Sequence, residues 1–539
     1  MGSQELDGAG AEVAADGAEG GAAGRSGVGR RRFLGAAAAA GAGAVGIGLL
    51  AGCDSSSADQ KSARSVDPAG LPRPALTALQ REQALPGNAD WRLGPTGPQE
   101  AVQGWTDQVS VAPGEPFALH VSTTAPGFTV SAYRVGWYGG AQARLVWRSG
   151  RIAGRVQSEA GFTDATRTVH TDWEPTLQVG TEDWPAGAYL LRLDAENGFQ
   201  RYVPMVVRSA SAEGATLIMH GVATWQAYNV WGGYSLYQGE NGAYDSRSLT
   251  VSYNRPYDGS GAEKFLVYER ALVVLAERLG IPLAYTTGID VHQQPEVLRG
   301  ATTLLSLGHD EYWTPQQRAS VTGARDAGTN LAFLGANTCF RRVRIEDTAR
   351  TVVCYKTDYE ADPLYGVHDA DVTTDFRVAP DPDPESSMTG VIYEGYPTDA
   401  PYVVRAADHW LYAGTGVAAG DSFPHLIGVE YDRVTPSYPT PRPIEILAHS
   451  PLVCEGNPSH SDSAYYTVRS GAGVFASGTM RWVEGLMAGT HDDGGDHQMD
   501  ARTGAFVTRA TENLLTAFAK GPAGHNLPAP RDNVTAVYG

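Results

Sequence analysis

Apolar and polar residues alternate in short runs from about residue 90 to residue 208. Residues 117–122, 128–135 and 188–193 are examples, and turn signals that contain Pro and Gly separate such runs. Alternation with a period of two, without a helical period, is typical of half-buried β-strands. We therefore expect an antiparallel β-sandwich of immunoglobulin-like size over residues 90–208.

The pattern changes at about residue 213, where continuous apolar runs alternate with segments of helical period. Buried strands are predicted at 215–220, 281–286, 302–307, 331–334 and 473–477, and helices at 263–279, 315–327 and 504–519. The aromatic-rich segment 221–237 lacks a helical capping pattern, so a loop is expected there. The alternation predicts a doubly wound α/β domain, flavodoxin-like or glutamine amidotransferase-like, over residues 213–522. A strand- and loop-rich insertion is expected at about 357–449, and residues 523–539 are a Pro- and Asn-rich tail.

The first 53 residues have the features of an export signal. Arginines at 30–32 precede 16 Gly/Ala-rich apolar residues, 35–50, and the sequence Leu-Ala-Gly-Cys ends at Cys53. A twin-arginine pair before a short apolar segment predicts Tat export, and the last four residues resemble a lipobox with lipid on Cys53. A transmembrane anchor is the alternative, but the apolar segment is short for a span. We expect a flexible tether at 54–89 and an anchor on the outer face of the cytoplasmic membrane.

The charge and cysteine content exclude several classes of protein. The chain has 41 Lys and Arg against 60 Asp and Glu, a formal charge of -19, which argues against a nucleic-acid partner. Four cysteines are too few for a disulfide scaffold. Cys339 and Cys354 are either a structural disulfide or two buried thiols, and Cys454 is then unpaired.

Standard catalytic templates are absent from the sequence. There is no Gly-x-Ser-x-Gly elbow, no Cys-x-x-Cys or His-Glu-x-x-His zinc pattern and no phosphate-binding loop. Cys339 follows a predicted strand, but Phe340-Arg341-Arg342 leaves no small residue for a nucleophile elbow. Nucleophilic, zinc and nucleotide chemistry of these familiar kinds are therefore not predicted.

Oxygen and nitrogen donors instead follow successive predicted strands. They are Tyr228 and Tyr237 after the first strand, His309 and Glu311 after strand 302–307, and Asn337 after the next. Ligands bind beyond the carboxyl ends of the strands in open α/β sheets. Phenolate and carboxylate are hard donors, which favour ferric iron over zinc or copper. Each tyrosine taken alone is also compatible with a core aromatic whose hydroxyl is bonded nearby.

Several of these segments resemble the large (beta) subunit of N,N-dimethylformamidase. The similar segments are Ala227-Tyr228-Asn229, Ser235-Leu236-Tyr237, Gly308-His309-Asp310-Glu311-Tyr312, Gly335-Ala336-Asn337 and Tyr355-Lys356. The resemblance implies a glutamine amidotransferase-like fold behind a β-sandwich, and mononuclear iron bound by Tyr228, Tyr237 and Glu311. It also implies that His309, Asn337 and Lys356 surround the substrate and that a later glutamate, Glu430 or else Glu445, is the general base. The formamidase is cytoplasmic and has a small partner subunit, whereas this chain carries an export signal.

Two functions are therefore predicted. The first is a metal-dependent, iron-containing amidase-like hydrolase that acts on a small amide or related C–N bond outside the cytoplasmic membrane. The alternative is a non-catalytic lipoprotein whose sandwich and aromatic segment 225–237 bind a cell-envelope glycan or similar ligand. In the first case the partners are a small amide-like substrate and the membrane. The sequence does not decide whether the chain also forms a homo-oligomer or binds a small subunit.

Overall fold

The computed structural model describes residues 77–488 and 497–539. The predicted export signal, Cys53 and most of the predicted tether lie outside these residues. Within them, no helix is both long enough and apolar enough to span a bilayer. The domain boundaries at 90, 208 and 213 stay predictions.

Two antiparallel sheets make up most of the region 102–207. The smaller contains Val102–Thr106, Phe117–Thr123 and Leu177–Val179, and the larger contains Ser110–Val111, Gln200–Val207, Gly187–Ala195, Gly127–Val135, Ala143–Arg148 and Ile152–Ala153. The short strand Ser110–Val111 pairs in parallel with Gln200–Val207, unlike the other strands of its sheet. A separate hairpin joins Gly161–Thr163 to Thr168–His170. Inward-facing residues of both sheets, such as Leu119, Val130 and Leu191, form one hydrophobic cluster. The long strands of both sheets are buried along almost their whole length, because the sheets pack face to face and are covered on their outer sides as well.

The largest sheet has seven strands. In spatial order they are Leu283–Thr287, Thr216–His220, Thr303–His309, Asn330–Ala336, Gly473–Ala476, Asn457–Thr467 and Ile444–Cys454. The first five strands pair in parallel with one another. Asn457–Thr467 is antiparallel to its neighbours on both sides, Gly473–Ala476 and Ile444–Cys454. The helices that accompany this sheet are Val222–Tyr228, Glu263–Tyr268, Arg270–Leu279, Gly288–Gln293, Pro315–Asp326 and Ala501–Phe518, and further helices are Ala78–Gln83, Ser386–Thr389 and Val534–Tyr538.

The predicted fold class, a doubly wound flavodoxin- or amidotransferase-like α/β chain, is wrong. Strands hold 32% of the residues and helices 26%, and the strands of the described part are divided among seven sheets. The region predicted as an insertion supplies the long pair Ile392–Val403 and Ser422–Arg433, and Ile444–Cys454 extends the largest sheet as an antiparallel edge. Apolar runs report that a strand is buried but not which strand pairs with it, so the sequence pattern missed this mixed, strand-rich architecture.

Two local predictions also fail. Residues Val222–Tyr228 form a helix where a loop was expected, because the N-cap is Gly221, which offers no side chain for a capping signal. The helix expected at 263–279 is interrupted at Glu269, whose φ is -133°. The Glu269 carboxylate is buried and accepts hydrogen bonds from His220 Nδ1 at 2.5 Å and Trp225 Nε1 at 2.8 Å. These tertiary contacts account for the break.

The three described cysteines, Cys339, Cys354 and Cys454, are free and buried. The disulfide alternative for the first two is therefore wrong, and the alternative of two buried thiols is correct. Cys53 lies outside the described residues.

The sandwich strands and the largest sheet share a hydrophobic cluster. It includes Tyr133 and Tyr202 from the sandwich strands and Ile218 and Leu272 from the later region. A buried ion pair between Arg134 and Glu277, with nitrogen and oxygen 2.5 Å apart, crosses the same boundary. The chain from residue 77 onward accordingly packs as one unit.

Candidate active site

Three neighbouring strands of the largest sheet end at one edge. Thr303–His309 lies between Thr216–His220 and Asn330–Ala336, and His309 pairs with Ala336 in the parallel register. The residues that follow these strands therefore come together at the carboxyl edge, as expected for parallel strands.

The three predicted metal ligands meet at one carboxylate. Tyr228 donates a hydrogen bond to Glu311 Oε2 at 2.8 Å, and the Tyr237 hydroxyl lies 2.8 and 2.7 Å from Glu311 Oε1 and Oε2. The two phenol rings stack with their centroids 4.2 Å apart. Tyr228 is the last residue of helix Val222–Tyr228, and the chain turns back within nine residues to present Tyr237.

The backbone of Glu311 is attached to the same helix. Thr224 Oγ1 accepts hydrogen bonds from the backbone N–H groups of Glu311, at 3.0 Å, and Tyr312, at 3.3 Å. The first turn of the helix thus fixes the loop that carries the carboxylate, while its last residue supplies a phenol.

Glu311 is 1% exposed. Burial alone would raise its pKa, but the hydrogen bond from His309 and the charges of Arg341, His309 and Lys356 outweigh burial, so the pKa is lowered. Its neighbour Asp310 behaves in the opposite way, because burial raises the pKa of Asp310 to about 7. Two adjacent carboxyl groups are thereby separated into an anion and a group that is about half protonated at neutral pH.

His309 lies between two carboxylates. Its Nε2 is 3.4 Å from Glu311 Oε2, 3.6 Å from Glu430 Oε2 and 3.4 Å from the Tyr228 hydroxyl. His309 Nδ1 is buried and has no hydrogen-bond partner in the described part of the chain. Glu430, from strand Ser422–Arg433, is therefore beside the site, whereas the fallback Glu445 is held by Arg531 at 2.8 Å.

The other two predicted substrate residues have different surroundings. Lys356 is fully buried, with Nζ 3.2 Å from the centroid of the Tyr237 ring. Asn337 donates its backbone N–H to Asp432 Oδ1 at 2.8 Å. Asn337 Oδ1 is buried and, among the residues described, has no hydrogen-bond partner, which leaves an acceptor available to a ligand.

Sequence reasoning missed two side chains of this cluster. The Tyr312 hydroxyl donates to the Tyr237 hydroxyl at 2.6 Å, and Arg341 Nε lies 3.2 Å from Glu311 Oε1. Tyr312 and Arg341 are paired in the parallel ladder between Tyr312–Trp313 and Arg341–Arg342. Tyr312 belongs to the segment that was singled out, but only the pairing of two short strands brings Arg341 to the carboxylate.

In residues 77–488 and 497–539, no three His, Cys, Asp or Glu side chains are grouped so that they could hold a metal ion. Tyrosine oxygens are outside that set of ligands. The roles assigned to Tyr228, Tyr237, Glu311, His309 and Glu430 stay predictions, as do those of Asn337 and Lys356.

Comparisons with known proteins were made for the whole chain. No curated protein matches it. Among solved structures, a crystal structure of a Paenibacillus sp. cycloisomaltooligosaccharide glucanotransferase complexed with cycloisomaltoheptaose matches at 14% identity and a TM-score of 0.14. That match covers 24% of this chain and 17% of the other, and at this TM-score it carries no argument.

The family comparison is more extensive. Residues 129–496 match the family described as N,N-dimethylformamidase beta subunit-like, C-terminal. The matched range begins in the sandwich strands and includes the site residues from Tyr228 to Glu430. Because it spans more than half of the sequence, the chain belongs to the N,N-dimethylformamidase beta subunit-like family.

Proposed function

We propose that the protein is an iron-dependent amidase-like hydrolase that cleaves the C–N bond of a small amide, with Tyr228, Tyr237 and Glu311 as the iron ligands. The observation that carries the proposal is the meeting of two phenol oxygens on one buried carboxylate, at 2.7 to 2.8 Å. A ferric ion would be held by these three side chains, whose oxygens already lie close together in the structure. Three hard oxygen donors fit a ferric ion in both chemistry and spacing.

A ferric ion bound there supplies a Lewis acid that polarises an amide carbonyl or lowers the pKa of a water molecule. The remaining steps belong to the side chains. Glu430 accepts a proton from the attacking water, and His309, within 3.6 Å of both Glu430 and Glu311, moves a proton to the leaving nitrogen. The family membership supports this reaction class.

Two further side chains orient the substrate. Asn337 Oδ1, a buried acceptor, binds an N–H of the substrate or of the departing amine. Lys356 places a positive charge against the Tyr237 ring and helps to keep Glu311 anionic. Because both are buried, their interactions with developing charge are stronger than they would be in water.

The proposal extends to location and partners. Residues 1–53 direct Tat export, and lipid on Cys53 anchors the enzyme to the outer face of the cytoplasmic membrane. This part rests on the sequence of the leader alone. The family is named for a beta subunit, which supports an assembly of several chains, either a homo-oligomer or a complex with a small subunit.

Metal analysis of the full-length protein tests the proposal. We expect about one iron per chain, a visible tyrosinate-to-iron charge-transfer band and hydrolysis of small amides such as N,N-dimethylformamide. Tyr228→Phe, Tyr237→Phe and Glu311→Gln should each lose iron and the band. The exposed Tyr365→Phe is the matched control and should keep both. Wild-type protein that binds no iron, or hydrolysis that survives Glu311→Gln unchanged, would overturn the proposal, and glycan binding that survives Glu311→Gln would favour a non-catalytic lipoprotein.

A further inference from the structure

A cavity of about 440 Å³ lies next to the site. Its walls are the helix Glu263–Tyr268, the segment of Leu93 and Thr96 that precedes the first strand, and Tyr202 of the sandwich strands. The volume is within the range of roughly 300–1,000 Å³ that is typical of small-molecule sites. It is larger than a simple dimethylamide requires.

The cavity and the candidate active site share a wall. Lys264 Nζ lies 4.5 Å from the centroid of the Tyr228 ring and 5.4 Å from that of Tyr268, and the Tyr268 ring is 5.8 Å from the ring of His309. The helix approaches this closely because it packs on Gly308, where a Cβ atom would be 2.6 Å from the backbone oxygen of Tyr268. Lys264 and Tyr268 therefore face the cavity and the predicted ligands together.

Apart from the ring contacts of Lys264, these two side chains have hydrogen-bond donors that are not used within the described part of the protein. Within the described ranges, neither the Lys264 ammonium nor the Tyr268 hydroxyl forms a hydrogen bond or ion pair. Both residues are partly buried and line the same cavity. The ammonium and the hydroxyl can therefore donate hydrogen bonds to one anionic ligand there.

We propose that the Lys264 ammonium and the Tyr268 hydroxyl bind a carboxylate on the substrate, so that the substrate is an amide that also carries a carboxylate, of the N-acyl amino acid class. The apolar side chains of Leu93, Leu266 and Val267 accommodate the carbon chain between the two groups. Hydrolysis adds water across the amide C–N bond and releases a carboxylic acid and the free amine of the amino acid. The inference rests on the proposed hydrolase function and defines its substrate class.

Binding measurements test the inference independently of turnover. The affinity of the full-length protein for N-acetylglycine is compared by calorimetry with that for its neutral methyl ester. We expect wild type to prefer the acid by about tenfold or more, as for a hydrogen-bonded charge. Lys264→Met should abolish the preference and Tyr268→Phe should reduce it. Lys520→Met, the same change at an exposed residue outside the cavity, should retain it.

The outcomes separate this inference from the hydrolase proposal. Equal or absent binding of the two ligands in wild type, or a preference that survives Lys264→Met, overturns the carboxylate site even if neutral amides are hydrolysed. If wild type prefers the acid but hydrolyses no amide, the carboxylate site is supported and the hydrolase proposal is contradicted. If Lys264→Met fails to fold, the isosteric Tyr268→Phe decides, because it removes only one hydroxyl.

Discussion

The Tyr237 hydroxyl lies within 2.8 Å of both carboxylate oxygens of Glu311, although the two residues are 74 positions apart in the sequence. Arg341 approaches the same carboxylate, with Nε 3.2 Å from Oε1. Glu311 is thus an interior anion held between phenol donors and a guanidinium, an arrangement in which each partner depends on the others.

Replacement of Arg341 by Met should destabilise the protein by about 3–5 kcal/mol, because the change leaves the buried Glu311 without its guanidinium. Urea unfolding measures the free energy of unfolding. Arg151→Met is the matched control, since the Arg151–Glu196 pair is on the surface and its loss should cost far less stability. Equal losses in the two variants would show that the ion pair does not stabilise the interior.

Gly308→Ala should destabilise the protein far more than Gly280→Ala. Both glycines have a positive φ, 48° and 67°, so alanine is strained at either position by about 1–2 kcal/mol. At Gly308 the new Cβ would also lie 2.6 Å from Tyr268, whereas at Gly280 no atom is within 4 Å. Thermal unfolding of the two variants measures the difference. Similar melting temperatures would mean that the close approach of Tyr268 is not required.

Asp432→Asn should make the protein more stable at pH 8 than wild type, and the advantage should shrink towards pH 4. Burial raises the pKa of Asp432 from its ordinary 3.8 to about 8. A group whose folded pKa is raised contributes most below its unfolded pKa, and that contribution is lost as the pH rises through the folded pKa. The melting temperature of both proteins from pH 4 to 8 is the measurement.

The exposed Asp172→Asn controls for the loss of one carboxylate, because its side chain is 90% exposed. A stability difference between Asp432→Asn and wild type that is constant over this range would contradict the titration of Asp432.

The thiols of Cys339, Cys354 and Cys454 should react with alkylating reagents only after unfolding. All three are buried, and burial raises the pKa of Cys339 to about 12 and that of Cys354 to about 11, which suppresses the reactive thiolate. The sequence has four cysteines, and the one not among these three is Cys53. Denatured protein from the membrane should therefore yield three thiols if Cys53 carries lipid and four if it does not. Rapid reaction of the folded protein would contradict the burial.

The sequence by itself determined which buried strands lead to the candidate site and which side chains follow them. Strands 303–309 and 330–336 follow from buried apolar runs, and the resemblance named Tyr228, Tyr237 and Glu311, which the fold brings into contact. Apolar runs and short motifs consist of residues that are adjacent in the chain, so they can be recognised in a single sequence.

Only the tertiary structure decided the strand pairing and the residues that depend on it. The antiparallel hairpin that extends the largest sheet, the break at Glu269 and the position of Arg341 beside Glu311 all follow from contacts between distant segments. A hydrophobic period shows that a side chain is buried, but it does not identify the partner, because pairing energy depends on residues far away in the chain. For that reason the doubly wound class was wrong, while the strands that end at the site were found.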